Sequence, residues 1–270
     1  MSDSSSRSRA SASPAEQSSV RSEAVCMSSH FLLTKDGRLA TLTFNRPEKR
    51  NPLNEEVLQE LESLLQQVCD DADVRVLVLT GTGNTFCAGA DLALAKGVTD
   101  PQEREQIFAE SAPRRTRLVE RVFTLLRQLE PMTIAAVNGY AVGGGWGLVL
   151  ACDIRVAVTG AEFWFPEVDL GAPLSPTMMA MLVAHVGPLR AKEMSILCRR
   201  YTATELLPLG MLNQVVEQKD LEPVVHALAR TFIEKNPNAV MVAKATVRAL
   251  TQKQAVVRPD LLLARKDMNA

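Results

Sequence analysis

The sequence predicts an α/β fold whose sheet has a substantial parallel component. Strand-like apolar segments alternate with helical patterns between residues 38 and 158, and glycine-rich turns separate them. The strand signal fades after about residue 187, where helical patterns take over. The chain has 270 residues, which is long enough for one large domain or two small ones.

The first 29 residues are rich in serine, alanine and arginine, and their few apolar residues show no period. Such a segment cannot bury enough surface to offset its chain entropy, so we expect a disordered tail over residues 1–29. Arg7, Arg9 and Arg21 among serines leave an organellar transit peptide open, but Asp3 and Glu16 weaken that interpretation.

The elements of the first half follow from residue periodicity. Residues 38–45 alternate apolar and polar side chains, as a half-buried strand does. Asn54 can cap the helix that follows, and residues 74–80 form a short buried strand closed by a glycine turn. The apolar residues that recur at helical spacing after Asn54 are Val57, Leu58, Leu61, Leu64, Leu65 and Val68.

The second half repeats this alternation. A helix is predicted over residues 107–129, a strand over 133–137, a helix running towards Cys152, and a strand over 154–158. Helical patterns over residues 193–197, 221–235 and 239–250 predict a smaller C-terminal helical region. We therefore divide the chain into a core over residues 30–200 and a helical region over residues 201–270.

Composition argues against several classes of function. The formal net charge of −1 predicts no attraction to nucleic acid or to an acidic membrane, and no apolar run is long enough to span a bilayer. Five widely spaced cysteines and three scattered histidines predict neither a metal site nor a disulfide framework. A reducing compartment, hence the cytoplasm, fits best. Arg114, Arg117 and Arg121 form a basic stripe, but interspersed glutamates favour a solvated face or subunit contact over nucleic-acid binding.

Gly143, Gly144 and Gly145 follow a buried strand and open a helix. Glycines allow a carbonyl-bearing ligand to approach the backbone, and the first N–H groups of a helix can bind an anionic oxygen. Taken alone, the three glycines favour a tight turn that packs the helix against its strand over a ligand site. A second segment over residues 85–92, TFCAGADL, also follows a strand, and its small residues leave the N–H of Ala90 free to face a ligand.

Together these segments resemble the enoyl-CoA hydratase/isomerase (crotonase) superfamily, in uninterrupted order over residues 31–250. The matching pieces are FNRPEKRNPLN (44–54), FCAGADL (86–92), IAAVNGYAVGGG (134–145), ACDIRVA (151–157), FPEVDLG (165–171) and PNAVMVAK (237–244). The resemblance implies a crotonase (ClpP-like) spiral of ββα units with a C-terminal helical trimerisation region. It also implies an acyl-CoA thioester substrate, a homotrimer or dimer of trimers, and no cofactor beyond the coenzyme A of the substrate.

The resemblance implies a role for individual residues. The N–H groups of Ala90 and Gly144 would hold the thioester oxyanion. Binding of the substrate is assigned to positions in the same segments: Arg46, Arg50, Cys87, Ala88, Asp91 and Gly143. Trp146 and Trp164 either narrow the acyl pocket or fill the core.

Enoyl-CoA hydratases of this superfamily use two glutamates, and this sequence matches only one of them. The first position is Gly147 here, and the second is Glu167, after Pro166. Moving a proton between two carbons needs one base, whereas adding water needs an acid and a base. The sequence therefore favours a Δ3,Δ2-enoyl-CoA isomerase in which apolar surroundings raise the pKa of Glu167.

Asp169 is a competing carboxylate. If it shared a strand with Glu167, the spacing of two residues would place both side chains on one face. Asp169 would then be a second acid, or it pairs with an arginine. Hydration with Asp169, decarboxylation, thioester hydrolysis and a non-catalytic acyl-CoA-binding homologue remain the alternatives.

Overall fold

The computed structural model describes residues 23–28, 30–91, 93 and 97–252. Their strands form two sheets, one of seven strands in the order β1-β2-β3-β4-β6-β8-β11 and one of four in the order β10-β9-β7-β5. The strands are β1 Glu23–Met27, β2 Phe31–Asp36, β3 Leu39–Phe44, β4 Val76–Gly81, β5 Thr85–Cys87, β6 Met132–Val137, β7 Tyr140–Val142, β8 Ile154–Val158, β9 Glu162–Trp164, β10 Tyr201–Thr202 and β11 Gln214–Val216. The helices are α1 Glu55–Asp70, α2 Pro101–Gln128, α3 Gly144–Ala151, α4 Pro176–Ile196, α5 Ala203–Leu206, α6 Leu221–Ile233 and α7 Pro237–Gln252.

A ββα unit repeats through the centre of the chain. β4, β6 and β8 lie side by side and parallel in the larger sheet. Each is followed by a short strand of the smaller sheet, and β5, β7 and β9 are again parallel neighbours. A helix completes each repeat, namely α2, α3 and α4. This topology confirms the predicted α/β fold with ββα units.

The first helix forms as its sequence predicts. The side chain of Asn54 accepts a hydrogen bond from the N–H of Val57 at 2.8 Å and caps α1. All six apolar residues predicted for its inner face are buried. They pack below the larger sheet in a core that also contains the inner face of α2 and all of α3 after its first residue.

Several stretches differ from the sequence prediction, which assigned no strand at β2, β5, β7, β9 or β10. Residues 23–27, assigned to a disordered tail, form β1, because β2 offers an antiparallel edge that local composition does not reveal. The rest of that tail lies outside the described residues, except residue 28. β11 was not predicted as a strand, yet it pairs in parallel with β8 in the larger sheet. Three residues are too few to show a period, so only the pairing identifies it.

The C-terminal helical patterns are confirmed as α6 and α7, and residues 193–197 largely fall within the longer α4. The division at residue 200 and the trimerisation role of the helical region stay predictions. Among the described helices, none combines the length and apolar character that crossing a membrane requires.

Candidate functional site

The loop after β5 presents the N–H of Ala90. Its flanking residues are tied to Leu53, whose N–H donates to the carbonyl of Gly89 at 2.7 Å and whose carbonyl accepts from Asp91 at 2.9 Å. Within the described part of the chain, the N–H of Ala90 itself donates no hydrogen bond. The neighbouring backbone hydrogen bonds therefore fix the position of this N–H group, while the group itself donates to no described residue.

The loop after β7 presents a second donor. The N–H of Gly143 donates to the carbonyl of Trp164 at 3.0 Å, and the carbonyl of Gly143 accepts from Gly147 at 2.9 Å. Gly144 is the first residue of α3, so its N–H has no partner within the helix, and none of the described residues supplies one. This N–H lies at the positive end of the helix dipole, where an anionic oxygen is stabilised.

The two loops meet because glycines line their contact. A Cβ atom placed on Gly89 would lie 2.5 Å from the carbonyl oxygen of Val142 and 3.6 Å from the nitrogen of Gly144. Gly89 also has a φ of +78°, which side-chain-bearing residues rarely adopt. The two donors predicted for an oxyanion hole thus belong to loops in direct contact.

Glu167 lies against this pair of loops. A Cβ atom on Gly143 would lie only 2.6 Å from Oε1 of Glu167, so the carboxyl group lies directly over this glycine. Oε2 is buried and, among the described residues, has no hydrogen-bond partner. Burial raises the pKa of Glu167 to about 7, although its own backbone N–H acts in the opposite direction. The predicted rise is confirmed, and such a carboxyl group can both accept and return a proton near neutral pH.

Position 147 has no room for a second carboxylate. A Cβ atom on Gly147 would lie 2.5 Å from Cζ of Phe123 and 2.9 Å from Cγ and Sδ of Met178. All three residues are buried. The space is therefore filled by an aromatic ring and a thioether, two apolar groups that the sequence analysis did not identify.

Asp169 does not share a strand with Glu167. β9 ends at Trp164, and residues 167–171 form a turn in which the N–H of Ala172 donates to the carbonyl of Glu167 at 2.8 Å. The condition for placing both carboxylates on one face is therefore not met. Side chains two residues apart point the same way in a strand, but not in a turn. Asp169 is exposed, and no described residue forms an ion pair with it.

The two tryptophans occupy different places. Trp146 is 1% exposed and stacks on Phe165 with ring centroids 4.3 Å apart, so the structure favours core packing over substrate contact. The ring of Trp164 is half-buried, with Tyr140 at its edge and the guanidinium of Arg200 4.4 Å above its face. The carbonyl of Trp164 contacts the oxyanion loop through the N–H of Gly143.

The other residues expected to bind substrate surround the Ala90 loop. Nη1 of Arg46 is buried 3.8 Å from a carboxylate oxygen of Asp91 and makes no hydrogen bond to the described residues. Arg50 is exposed, and its carbonyl accepts from the N–H of Ala88 at 3.0 Å. Cys87 is fully buried, and burial raises the pKa of its thiol to about 12. Its carbonyl, Cβ and Sγ pack against Gly145, where an added Cβ atom would lie 2.4 to 2.9 Å from them.

Asn51 is a positioning residue for which the sequence predicted no role. Its Oδ1 accepts from the N–H of Arg46 at 2.8 Å, and its Nδ2 donates to the carbonyls of Thr82 and Thr85 at 3.1 and 2.7 Å. The side chain thereby joins the loop before α1 to the turn and strand that lead to Ala90. Its φ of +53° is a backbone property that the sequence does not show.

The basic stripe on α2 forms ion pairs with α1. Nε of Arg114 lies 2.8 Å from Glu55, and Arg121 pairs with Glu62 through both its Nε and Nη2. These contacts agree with the interpretation as a solvated, charge-paired face. No group of three or more His, Cys, Asp or Glu side chains in the described residues is arranged to hold a metal ion.

Comparison with known proteins shows the family and the fold of the chain. A family model described as enoyl-CoA hydratase/isomerase matches residues 34–261. The chain is 36% identical over 217 residues to a crotonyl-CoA hydratase of Syntrophomonas wolfei, covering 80% of each chain. A solved enoyl-CoA hydratase of Bacillus anthracis has a TM-score of 0.74 at 29% identity, covering 84% of this chain and 89% of that one. A monofunctional enoyl-CoA isomerase of M. smegmatis has a TM-score of 0.69 at 27% identity, covering 86% and 97%.

Proposed function

Because the chain belongs to the enoyl-CoA hydratase/isomerase family, whose members act on acyl-CoA thioesters, we propose that it moves the double bond of a 3-enoyl-CoA to the 2-position. One observation carries this proposal. A single buried carboxyl group, Glu167, lies beside two free backbone donors, while Phe123 and Met178 fill the place of a second carboxylate.

The proposed reaction needs one proton carrier. Ionised Glu167 removes a proton from C2 of the thioester, and the electrons move through the C3–C4 double bond and the carbonyl to give a dienolate. The N–H groups of Ala90 and Gly144 donate hydrogen bonds to its oxygen, as oxyanion donors do in acyl transfer. Protonated Glu167 then delivers the proton to C4, so the double bond moves to C2–C3 and the carboxylate is regenerated.

The pKa of Glu167 supports both halves of this cycle. A carboxyl group with a pKa of about 7 is a stronger base than an ordinary one and still ionises near neutral pH. No residue in the described part of the chain bonds to Oε2, so this oxygen can accept the substrate proton without first giving up a hydrogen bond to one of them. In this proposal no cofactor takes part besides the coenzyme A of the substrate, and a homotrimer or dimer of trimers remains the proposed assembly.

Hydration of a 2-enoyl-CoA is the second candidate, and the names of the relatives favour it. The Syntrophomonas wolfei relative is a crotonyl-CoA hydratase. In this chain a hydratase would need a second acid–base group in place of Gly147, and exposed Asp169 is the carboxylate nearest to Glu167 in sequence. The apolar filling at position 147 favours isomerisation.

The test compares 3-enoyl-CoA and 2-enoyl-CoA thioesters as substrates for the wild type, Glu167→Gln and Asp169→Asn. We expect conversion of the 3-enoyl substrate alone, a loss of about 10²- to 10⁴-fold with Glu167→Gln, and little change with Asp169→Asn. Glu162→Gln is the matched control, because Glu162 lies on nearby β9 but pairs with Arg200 at 3.5 Å. If the wild type hydrates 2-enoyl-CoA and Asp169→Asn loses this activity, the protein is a hydratase rather than an isomerase.

A further inference from the structure

A second pocket lies at the opposite end of α3 from the oxyanion donors. It has a volume of about 580 Å³ and is bounded by α4, α6 and α7 and by the C-terminal end of α3 at Leu150 and Ala151. Gly144 begins the same helix, whose eight residues span about 12 Å. The pocket is therefore separate from the site around Glu167.

The lining carries five cationic side chains and one acidic side chain. The acidic residue, Asp153, already has partners: Lys244 lies 2.7 Å away, and the N–H and hydroxyl of Thr133 both donate to it at 2.8 Å. Lys244 also donates to the carbonyl of Pro131 at 2.6 Å. This ion pair accounts for one cation and for the acid, and it leaves an excess of positive charge.

Arg155 is fixed in the wall of the pocket. Its guanidinium donates to the backbone carbonyls of Val149, Leu150 and Cys152 at 3.0 to 3.2 Å. Beside it, burial and the charge of Arg155 lower the pKa of His185 to about 4, so this imidazole is neutral at pH 7. The wall is therefore rigid and positive, and its histidine adds no charge.

Arg127 and Arg248 are the two half-buried cations of the lining without an ion pair among the described residues, whereas Lys235 is exposed. Nη1 of Arg248 donates to the backbone carbonyl of Arg127 at 3.1 Å, so the guanidinium of Arg248 lies against the backbone of Arg127. Burial and the positive charge of Arg248 lower the pKa of Arg127. Among the described residues, no carboxylate pairs with either guanidinium. Two like charges at close range in a half-buried place are unfavourable unless an anion lies between them.

The remainder of the pocket is mainly apolar. Its walls include Leu150, Met181, Phe232, Val240 and Val247. Pockets of 300 to 1,000 Å³ with such walls and a few polar groups are typical of small-molecule sites. Paired guanidinium groups bind a carboxylate with charge-assisted hydrogen bonds, and an adjoining apolar wall accepts an alkyl chain.

We propose that this pocket binds a free fatty acid, with its carboxylate between the guanidinium groups of Arg127 and Arg248 and its chain along the apolar walls. The site is independent of the acyl-CoA reaction proposed above, since it shares no residue with the Glu167 site.

The test measures binding of decanoate to the full chain by titration calorimetry, with decanol and inorganic phosphate as separate probes. Decanoate is expected to bind, whereas decanol, which lacks the charge, and phosphate, which lacks the chain, bind at least about tenfold more weakly. The double variant Arg127→Met/Arg248→Met should weaken decanoate binding about tenfold or more. Arg117→Met, an exposed arginine on the same helix as Arg127, is the matched control and should bind as the wild type does.

Saturating coenzyme A separates the two sites. Decanoate affinity is expected to be unchanged in its presence, and the double variant should keep its turnover of acyl-CoA. Displacement of decanoate by coenzyme A would place it in the Glu167 site and overturn the proposal. The proposal would also be overturned if decanol or phosphate bound as tightly as decanoate, or if the double variant kept the wild-type affinity. Each of these results would show that a required part of the recognition is not needed.

Discussion

Glu167 combines a buried oxygen that has no hydrogen-bond partner among the described residues with a pKa raised to about 7. An ordinary glutamate on the surface would be ionised throughout the neutral range and would be a weak base. Here, desolvation makes the charged form costly, and the glycine beneath the carboxyl group leaves it free to reach a substrate. The chemistry of the site thus depends on the surroundings of one side chain.

The pH dependence of turnover follows from this pKa. Proton abstraction needs the ionised carboxylate, so kcat/KM for the 3-enoyl-CoA should rise with pH through about 7 and level off above it. Below that pH it should fall about tenfold per pH unit, because the protonated fraction grows in that proportion. Steady-state rates between pH 5 and 9 provide the measurement. A flat profile from pH 6 upwards would mean that the pKa of Glu167 is not raised.

At the scale of elements, two loops form the site: the loop after β5 and the loop between β7 and α3. The loop after β5 is held through Asn51 and Leu53, and the loop after β7 is held by the carbonyl of Trp164. The glycines at both junctions permit contacts that no side chain would allow. Precise placement of the donors is therefore a property of the backbone and of its supporting hydrogen bonds.

Gly143→Ala tests this dependence. Its new Cβ would lie 2.6 Å from Oε1 of Glu167, and the φ of +51° is strained for alanine. We expect kcat to fall about 100-fold or more, because the carboxylate and the Gly144 donor both move. Gly160→Ala is the control, since a Cβ there meets no atom within 4 Å. Equal activities of the two variants would contradict this account of the junction.

Lys244 anchors α7 to the larger sheet through Asp153 and Pro131, and its side chain is only 7% exposed. Lys244→Met leaves the carboxylate of Asp153 with Thr133 alone, so the free energy of unfolding should fall by about 3 kcal/mol. Urea denaturation measures this change. Lys219→Met removes an exposed lysine and should leave the denaturation midpoint nearly unchanged. An equally small effect at Lys244 would show that α7 is held by other contacts.

For the whole molecule, α7 leaves apolar side chains in contact with solvent. Val242 and Leu250 are 59% and 66% exposed in the single chain. Exposed apolar residues grouped on one element indicate a protein–protein contact, in keeping with the trimerisation role proposed for this region.

The native mass should therefore be three or six times the chain mass of 29.5 kDa. Val242→Glu places a charge in the expected contact and should shift the mass towards that of a single chain. Light scattering after gel filtration measures both. Gln67→Glu, an exposed change on α1, should leave the mass unaltered, and a monomeric wild type would refute the proposed assembly.

Much of the fold could be predicted because its signals are local. The period of α1 and its Asn54 cap, the strand over residues 154–158 and the glycine junctions all appear in short stretches of sequence. β1 and β11 could not be predicted from local sequence. β1 depends on pairing with the edge of β2, and β11 depends on β8, which is distant in the chain.

The sequence by itself determined the fold class, the two glycine loops and the identity of Glu167 as the one carboxylate of the family pattern, because these depend on residue type and order. Only the tertiary structure decided the rest. It placed Glu167 over Gly143, filled position 147 with Phe123 and Met178, and turned Asp169 out to solvent. It also buried Trp146 in the core and joined the site loops through Asn51. Burial, van der Waals contact and hydrogen bonding between distant segments produce these features, and none of them has a local sequence signal.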